Sequence, residues 1–377
     1  MRRSARFQCT TFETYKEINS LFAAVNHPET LTPEEIDSYL FRGWFRMGPT
    51  IFTTNFLSFK ERLYGAIWLR VNLETYRGER TQTKVFRLNN SLRTEIKRAT
   101  ITDEKEKLFE TYKLSVAFEA SASVKHLLLG KSDRSAYDTY EVNIYDNEKL
   151  IACGYFDHGA TSAMGISCFY DPAYKKHSLG KYLIYLKMAH CKTLGLKYFY
   201  PGYFVPGYSF FDYKLTMAKD SLEYLQLETQ QWHPIKNFVN ELAPLEIMRA
   251  KLLALQERLS LEGVPCTIMR YEFFDANLIP DLAGAELFDF PLFLFFPGPL
   301  QEPINQFVIY DVIDQQYHLI RCRGVWKTNS GNASDTIYSS YVLKLEDNLF
   351  STRVMEMIAA LIAIEKKQLL PKTGSRS

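Results

Sequence analysis

The stretch from Phe169 to Tyr203 constrains the fold more than any other part of the chain. It reads FYDPAYKKHSLGKYLIYLKMAHCKTLGLKYFYPGY, in which a β-rich run, a basic turn, a helical run and a second β-rich run follow one another. Ser178 is a typical N-cap and Gly195 a typical C′ residue. The apolar residues between them have helical spacing: Leu179, Leu183, Leu186 and Ala189. This order predicts a βαβ-type unit whose basic turn can hold an anionic carrier at the helix start.

The segments around this unit predict further strands and helices. Residues 139–157 contain two β-rich runs around Asp146-Asn147-Glu148, which is typical of a hairpin. A third strand is expected over Gly165–Tyr170, and a strand over Lys197–Tyr200 is expected to end at Pro201-Gly202. Helices are predicted over Thr32–Arg42, Asp103–Phe118, Leu179–Leu194 and Pro244–Glu262, with a last one from Ser351. The chain is therefore expected to be α+β, with a mixed sheet flanked by helices.

Charge and cysteine content exclude several classes of protein. The net charge of +2 over 377 residues gives no global basic field of the kind found in dedicated nucleic-acid binders, so only a local basic face is possible. The six cysteines contain no CxxC pair, which argues against a zinc or iron–sulfur site. They are better explained as free thiols: Cys9, Cys153, Cys168, Cys191, Cys266 and Cys322. No metal is expected.

The ends of the chain and its apolar runs suggest a cytoplasmic protein. MRRSARFQCTTFETYK has no apolar core of a secretory signal. The longest apolar runs, Phe288–Pro297 and Met355–Ile364, are shorter than the roughly 18 residues that a membrane span requires. The tail LPKTGSRS is expected to be disordered.

A mixed sheet with a helix that begins at a basic turn is the pattern of acetyltransferase-type (GNAT) N-acyltransferases. Their turn usually reads Gln/Arg-x-x-Gly-x-Gly/Ala, so that backbone N–H groups approach a carrier's phosphates. Lys176-His177-Ser178-Leu179-Gly180-Lys181 offers Gly180 alone. An acyl-CoA-dependent N-acyltransferase is one interpretation, and the missing glycine counts against it.

The middle of the chain resembles the arginyl-tRNA–protein transferases, the aminoacyl-tRNA transferases of the N-degron pathway, which have a GNAT-like fold. The resemblance is best over residues 105–233. It is carried, in order, by LFETYK (108–113), LIACGYFD (150–157), FYDP (169–172), SLG (178–180), GLKYFYPGY (195–203), Tyr213-Lys214 and Trp232. The order and spacing of these motifs are more specific than any one of them.

The remaining parts match this family less well. Gly43–Gly48 and Phe86–Asn89 are similar to its Gly-x-x-Arg-x-Gly and Arg-x-Asn segments, but its amino-terminal cysteine cluster is missing. No property of the family that depends on that cluster is therefore expected of this chain. We therefore expect three regions: an N-terminal transferase region without the cluster (1–104), a GNAT-like aminoacyl transferase domain (105–235) and a C-terminal α+β extension of unknown role (236–377).

The resemblance implies an enzyme that moves arginine or leucine from tRNA to the N-terminal α-amine of a protein, and an acidic first residue is expected in that protein. It needs no cofactor, and its partners are charged tRNA and proteins with a free N-terminus, with no membrane and no DNA. Because the aminoacyl ester is already activated, orientation and oxyanion stabilisation can supply most of the catalysis. Besides the acyl-CoA enzyme, a non-catalytic binding module on the same fold is the alternative.

The resemblance and the local chemistry together nominate site residues. Asp171 is the candidate for orienting or deprotonating the attacking amine, although Asp171-Pro172 is also typical of a turn. Tyr203 and Tyr213 are the further catalytic candidates, as pocket walls or oxyanion donors. The candidates for the tRNA and its terminal adenosine are Lys176, Ser178, Leu179, Gly180 and Lys181. The candidates for the substrate N-terminus are Arg46, Arg87 and Lys214, and Asp157 is the candidate for a basic aminoacyl side chain.

Overall fold

The computed structural model describes residues 18, 20–118, 120–297, 304–328 and 336–369. These residues form two compact units. The larger unit consists of residues 22–247 and 275–289, and the smaller consists of residues 1–21, 248–274 and 290–377. The three-region division expected from the sequence stays a prediction.

The larger unit contains most of the regular structure up to residue 247. Its strands are β1 (Ala23–Asn26), β2 (Phe45–Met47), β3 (Thr50–Thr54), β4 (Phe56–Phe59), β5 (Arg62–Gly65), β6 (Ile67–Asn72), β7 (Arg93–Arg98), β8 (Thr139–Asp146), β9 (Lys149–His158), β10 (Ser162–Tyr170), β11 (Tyr198–Phe204), β12 (Leu222–Gln226) and β13 (Gln231–Pro234). Its helices are α1 (Pro33–Phe41), α2 (Arg80–Leu88), α3 (Asp103–Lys113), α4 (Val124–Leu129) and α5 (Leu179–Thr193). Short 3-10 helices include Pro172–His177 and Ser209–Thr216.

An eight-stranded mixed sheet is the main layer of this unit. Its strand order is β13-β12-β6-β11-β10-β9-β8-β7. The pairs are antiparallel except β10 with β11, which run parallel because α5 carries the chain back between them. The predicted hairpin is confirmed as β8–β9, and the predicted strand–helix–strand unit is confirmed as β10–α5–β11. The fold is α+β, as the sequence predicts.

The core of this sheet is built on one face of α5. Leu179, Leu183 and Met188 are buried against sheet residues such as Val142 and Phe199. Each such side chain contributes about 1.5–3 kcal/mol when it is fully removed from water. The helical spacing of apolar residues therefore corresponds to the face that packs on the sheet.

Three predicted boundaries are wrong by four or more residues. β11 does not end at Pro201-Gly202 but continues to Phe204, because a register shift between Phe199 and Gly202 accommodates these residues within its pairing with β6. α3 ends at Lys113 rather than Phe118. The last helix begins at Met355 rather than Ser351, because residues 351–352 continue the preceding strand.

The smaller unit is built on a six-stranded sheet in the order β18-β14-β15-β16-β17-β19. Its strands are β14 (Thr267–Tyr271), β15 (Leu292–Phe295), β16 (Ile304–Asp311), β17 (Gln316–Lys327), β18 (Ile337–Tyr338) and β19 (Tyr341–Thr352). Its last helix is α7 (Met355–Leu369). The helix α6 (Pro244–Leu261) precedes β14, and its apolar residues are buried: Leu245, Met248, Leu252, Leu255 and Leu259.

Some expectations fall outside the part of the chain that the structure describes. These are the N-terminal residues 1–17 with Cys9, the loop 329–335 and the tail 370–377. Among the described helices, none combines the length and the apolar character needed to cross a membrane. The five described cysteines are free thiols, as predicted.

Candidate active site

A cavity opens in the eight-stranded sheet where β10 and β11 separate. The two strands pair only from Ser162 to Met164 with Tyr198 to Tyr200, and the pairing of β10 with β9 shifts register between Gly165 and Ser167. Beyond this point residues of both strands line a cavity of about 880 Å³. The register shifts in both strands thus create the opening beside the start of α5.

The cavity has an aromatic wall and a basic character. Its lining includes Phe45, Phe52, Phe109, Tyr112, Phe118, Tyr170, Phe199, Tyr203, Phe210, Phe211 and Tyr213. Five basic residues also line it: Arg46, Lys175, Lys181, Lys187 and Lys214. No lining residue in the described part of the chain is Asp or Glu. Such a wall favours an occupant with apolar parts and negative charge.

The start of α5 forms one side of this cavity. Ser178, Gly180 and Lys181 line it. Ser178 precedes the helix as predicted, but its side chain does not cap the helix, because the residue has left-handed backbone angles (φ 53°, ψ 41°). The N-cap prediction is therefore wrong as regards the hydroxyl. Leu179 lies in the core, so only its backbone is available at the helix start.

Asn89 holds the basic turn before α5, although it was not among the site residues predicted from the sequence. Its side-chain amide is buried, donates to the carbonyl oxygens of Val85 (2.9 Å) and His177 (3.0 Å), and lies 3.1 Å from His177 Nδ1. Arg87, the residue nominated from the same motif, is exposed on α2 and does not line the cavity. Of the motif Phe86–Asn89, it is therefore the asparagine that contacts the basic turn beside the cavity.

Lys214 brings a buried ammonium group to the cavity. Its side chain comes from the 3-10 helix Ser209–Thr216, and Nζ donates to the carbonyl oxygen of Tyr203 at 2.6 Å. The residue is only 8% exposed and has no carboxylate partner among the described residues, and burial lowers its pKa from 10.5 to about 7. Gly202 (φ 86°) makes room for it, because a Cβ there would lie 3.2 Å from Nζ.

Lys187 is a second buried ammonium group at the cavity and was missed in the sequence. It lies on α5 and donates to the carbonyl oxygens of Tyr155 (2.8 Å) and Ser167 (2.7 Å), and Nζ is 3.3 Å from Cys168 Sγ. It thereby ties α5 to the irregular part of β10. Its signal was a lysine four residues after Leu183, on the apolar face of a helix where a charge is unusual.

Gly154 on β9 leaves the space that Lys187 occupies. A Cβ at this position would lie 2.9 Å from Lys187 Cε and 3.1 Å from Ser167 O. We expect Gly154→Ala to lower the free energy of unfolding by about 1–3 kcal/mol, since a buried and hydrogen-bonded side chain would have to move. Urea denaturation measures the change.

Gly180→Ala is the matched control for this substitution. Its Cβ would make an ordinary contact, 3.6 Å from Tyr170, and alanine favours a helix. A Gly154→Ala protein as stable as the wild type would show that Lys187 can be displaced without cost.

Arg46 and Asp157 form a buried ion pair beside the cavity. Both side chains are fully buried, and Arg46 Nη1 lies 2.8 Å and 2.9 Å from the two carboxylate oxygens. The guanidinium also donates to Thr139 Oγ1, to the carbonyl oxygens of Gly48 and Leu128, and lies over the ring of Tyr137. Because these donors are used within the protein, the geometry favours a structural role for the pair over the ligand-binding roles predicted for each.

Asp171 initiates a turn and does not line the cavity. Its carboxylate accepts from Lys149 Nζ at 2.7 Å and from the backbone N–H of Ala173 at 3.0 Å. The hydrogen bond from Lys149 lowers the pKa of Asp171, which makes it a weaker base. The geometry therefore favours the turn-forming role that the sequence left open. Lys176 is likewise not among the residues that line the cavity, and its side chain is exposed.

Tyr203 and Tyr213 both line the cavity, from β11 and from the 3-10 helix that carries Lys214. The Tyr203 ring packs edge-on against Trp68 with centroids 5.1 Å apart, and burial raises the pKa of its phenol. A neutral phenol can donate a hydrogen bond to a developing oxyanion. Of the three catalytic candidates, the structure brings these two together with Lys214.

Comparison with known proteins finds aminoacyl transferases similar to this chain. Residues 104–223 match the family model "Arginine-tRNA-protein transferase, C terminus". The chain is 25% identical over 199 residues to an aspartate/glutamate leucyltransferase of Leptospira interrogans, covering 50% of this chain and 73% of the relative. A protein of the same name from Helicobacter hepaticus is 25% identical over 193 residues, covering 50% and 78%.

A ribosomal-protein-S18-alanine N-acetyltransferase from Escherichia coli is a weak structural neighbour. The TM-score is 0.22 at 18% identity, and the match covers 28% of this chain and 63% of that one.

By these similarities, the chain belongs to the class of aminoacyltransferases. Residues 104–223 are similar to the C-terminal domain of the arginine-tRNA-protein transferases. The resemblance predicted over residues 105–233 is thereby confirmed.

Proposed function

We propose that this protein transfers leucine from charged tRNA to the α-amine of proteins whose first residue is Asp or Glu. The observation that carries the proposal is the cavity between β10 and β11, where the start of α5 and the ammonium group of Lys214 line one space. The relatives from Leptospira interrogans and Helicobacter hepaticus are named aspartate/glutamate leucyltransferases, which supports both the amino acid and the acceptor. Action in the cytoplasm, within an N-degron pathway, is part of the same proposal.

Charge favours leucine over arginine as the transferred amino acid. Besides apolar and aromatic side chains, the cavity is lined by Lys175, Lys181 and Lys214, which have no carboxylate partner among the described residues. A guanidinium group placed among these cations would be repelled and would lose its water, whereas a leucyl side chain gains from apolar burial. The same cations attract the phosphates of tRNA and the carboxylate of an acidic first residue.

The chemistry requires the neutral α-amine to attack the ester carbonyl of the aminoacyl-tRNA. The new C–N bond forms, the ester C–O bond breaks, and the 3′-oxygen of the tRNA leaves with a proton. An α-amine has a pKa near 7.7–8.0, so a substantial fraction is neutral at pH 7 to 8. We propose that Tyr203 or Tyr213 donates to the oxyanion, that Lys214 holds the acidic side chain, and that backbone N–H groups at Ser178–Lys181 meet the terminal nucleotide.

A transfer assay with both amino acids tests this function. Purified protein is incubated with tRNA charged with labelled leucine or labelled arginine and with peptides that differ only in a first residue of Asp, Asn or Arg. We expect label from leucyl-tRNA on the Asp peptide. Label from arginyl-tRNA instead would overturn the assignment of leucine.

Two further results would change the proposal more deeply. Transfer of an acetyl group from acetyl-CoA, without transfer from either tRNA, would identify an acyl-CoA enzyme. Inactivity with all three donors, in a protein that melts cooperatively, would leave a binding module on the same fold.

A further inference from the structure

Two exposed phenylalanines lie in contact at the cavity. Phe118 belongs to the segment after α3, and Phe210 belongs to the 3-10 helix that carries Lys214. Both line the cavity, yet they are 41% and 46% exposed. Their ring centroids are 5.1 Å apart in an edge-to-face arrangement. We name Phe118 and Phe210 the aromatic pair.

The aromatic pair continues into the cavity wall. The ring of Phe210 contacts Phe211 at 5.1 Å, and Phe211 contacts Tyr203 at 5.4 Å between centroids. Phe211 and Tyr203 also lie near the ammonium group of Lys214, at 5.1 Å and 5.4 Å from Nζ. Aromatic rings in contact with one another therefore extend from the exposed pair to the residues proposed to act in the reaction.

The ammonium groups of two lysines lie at the same cavity as these aromatic rings. Lys175 and Lys181 line the same cavity and have no carboxylate partner in the described part of the chain. They come from the basic turn and the first turn of α5. Exposed aromatic rings together with uncompensated cations match single-stranded nucleic acid, whose bases stack on aromatic faces and whose phosphates need positive charge.

We infer that the aromatic pair stacks the unpaired bases at the 3′ end of the charged tRNA, while Lys175 and Lys181 contact the phosphates between them. The inference rests on the proposed function, since the aminoacyl ester is carried by the last nucleotide and its unpaired neighbours must enter with it. An apolar protein segment would fit the two rings but would leave both lysines without a partner. Stacking on the pair would therefore fix the direction in which the ester enters the cavity.

RNA binding measures this contact separately from catalysis. The probe is a labelled RNA hairpin with a short unpaired 3′ tail, compared by fluorescence anisotropy with the same hairpin ending blunt. The full-length wild-type protein should bind the tailed hairpin more tightly. Phe118→Ala and Phe210→Ala should each weaken binding of the tailed hairpin by roughly 5- to 150-fold, which corresponds to about 1–3 kcal/mol for one stacked base.

Conservative variants separate stacking from simple apolar contact. Phe210→Tyr keeps the π face and should retain the affinity for the tail, whereas Phe210→Leu keeps the apolar volume and should lose it. Leu114→Ala is the matched control, because Leu114 is 86% exposed, lies four residues from Phe118 and does not line the cavity. It should leave binding unchanged, and thermal melting verifies that every variant is folded.

Three results would overturn the inference. The wild type could bind tailed and blunt hairpins equally, the alanine variants could keep the preference for the tail, or Phe210→Leu could bind as well as Phe210→Tyr. Leucyl transfer is assayed in parallel on the same preparations. If the wild type transfers leucine normally but the aromatic pair does not affect binding of the tail, the inference alone is rejected. If the wild type prefers the tailed hairpin but transfers no leucine, the proposed function alone is rejected.

Discussion

Replacing Asp157 by alanine should lower the free energy of unfolding by about 3–5 kcal/mol, the usual cost of leaving one member of a buried ion pair without its partner. Asp157 lies on β9 and its partner Arg46 on β2, and both side chains are fully buried. The guanidinium is buried, and its remaining acceptors among the described residues are Thr139 Oγ1 and two carbonyl oxygens. Urea denaturation followed by circular dichroism measures the loss.

The pair Arg98–Asp138 is the matched control, because it joins the same residue types at the surface. Its side chains are 72% and 45% exposed. Asp138→Ala should cost no more than about 1 kcal/mol, since an exposed ion pair contributes little. Equal losses for the two aspartates would contradict the structural role assigned to Arg46 and Asp157.

A double variant tests the cause of the loss at Asp157. Arg46→Met with Asp157→Leu removes both charges together, so neither is left buried alone. This protein should be more stable than Asp157→Ala. A double variant no more stable than the single one would show that the pair's other hydrogen bonds, rather than the unpaired charge, account for the cost.

Replacing Lys214 by methionine should remove the preference for an acidic first residue. The proposed contact between its ammonium group and the substrate carboxylate is a charge-assisted hydrogen bond worth about 1.5–3 kcal/mol. kcat/KM for a peptide beginning with Asp should therefore fall roughly 10- to 150-fold. The same peptide beginning with Asn should change little, and it serves as the isosteric control.

The fold should survive this substitution. Burial disfavours the charged form of Lys214, so the charge costs most at pH values below its lowered pKa. Removing that charge should leave the melting temperature at pH 7 unchanged or raised. A methionine variant that still prefers Asp over Asn would contradict the role proposed for Lys214.

The pH dependence of wild-type selectivity tests the same contact without a mutation. Because the pKa of Lys214 is lowered to about 7, its ammonium group loses its proton as the pH rises above neutrality. The ratio of kcat/KM for Asp over Asn peptides should therefore fall above pH 7, and it should be flat in the methionine variant. Titration of the α-amine is common to both peptides and cancels in the ratio. A wild-type ratio that rises with pH would exclude a cationic Lys214 as the selecting group.

Sequence patterns predicted the elements whose causes are local. The apolar spacing of α5, the turn of the β8–β9 hairpin and the helix that begins after Thr32 are all present. Each depends on residues within a few positions of one another. The order of the motifs likewise predicted the resemblance to the arginyl-tRNA–protein transferases, because each motif can be read from the chain without knowing its contacts.

Sequence patterns failed where a conformation depends on a neighbouring strand. Pro201-Gly202 is typical of a strand end, yet pairing with β6 carries β11 through these residues. The sequence nominated Asp171 as a catalytic residue and Lys214 for the substrate N-terminus. Lys149 engages the first at a turn, whereas the second lies at the cavity without a carboxylate partner among the described residues.

The amino-acid sequence by itself therefore determined the α+β class, the strand–helix–strand unit and the similarity of residues 104–223 to the arginine-tRNA-protein transferases. Only the tertiary structure decided which side chains face the cavity, that Arg46 and Asp157 are used by each other, and that Lys187 and Lys214 are buried cations. The physical reason is that burial and charge pairing depend on residues distant in the chain. Arg46 and Asp157 are 111 positions apart, and no local pattern records that they meet.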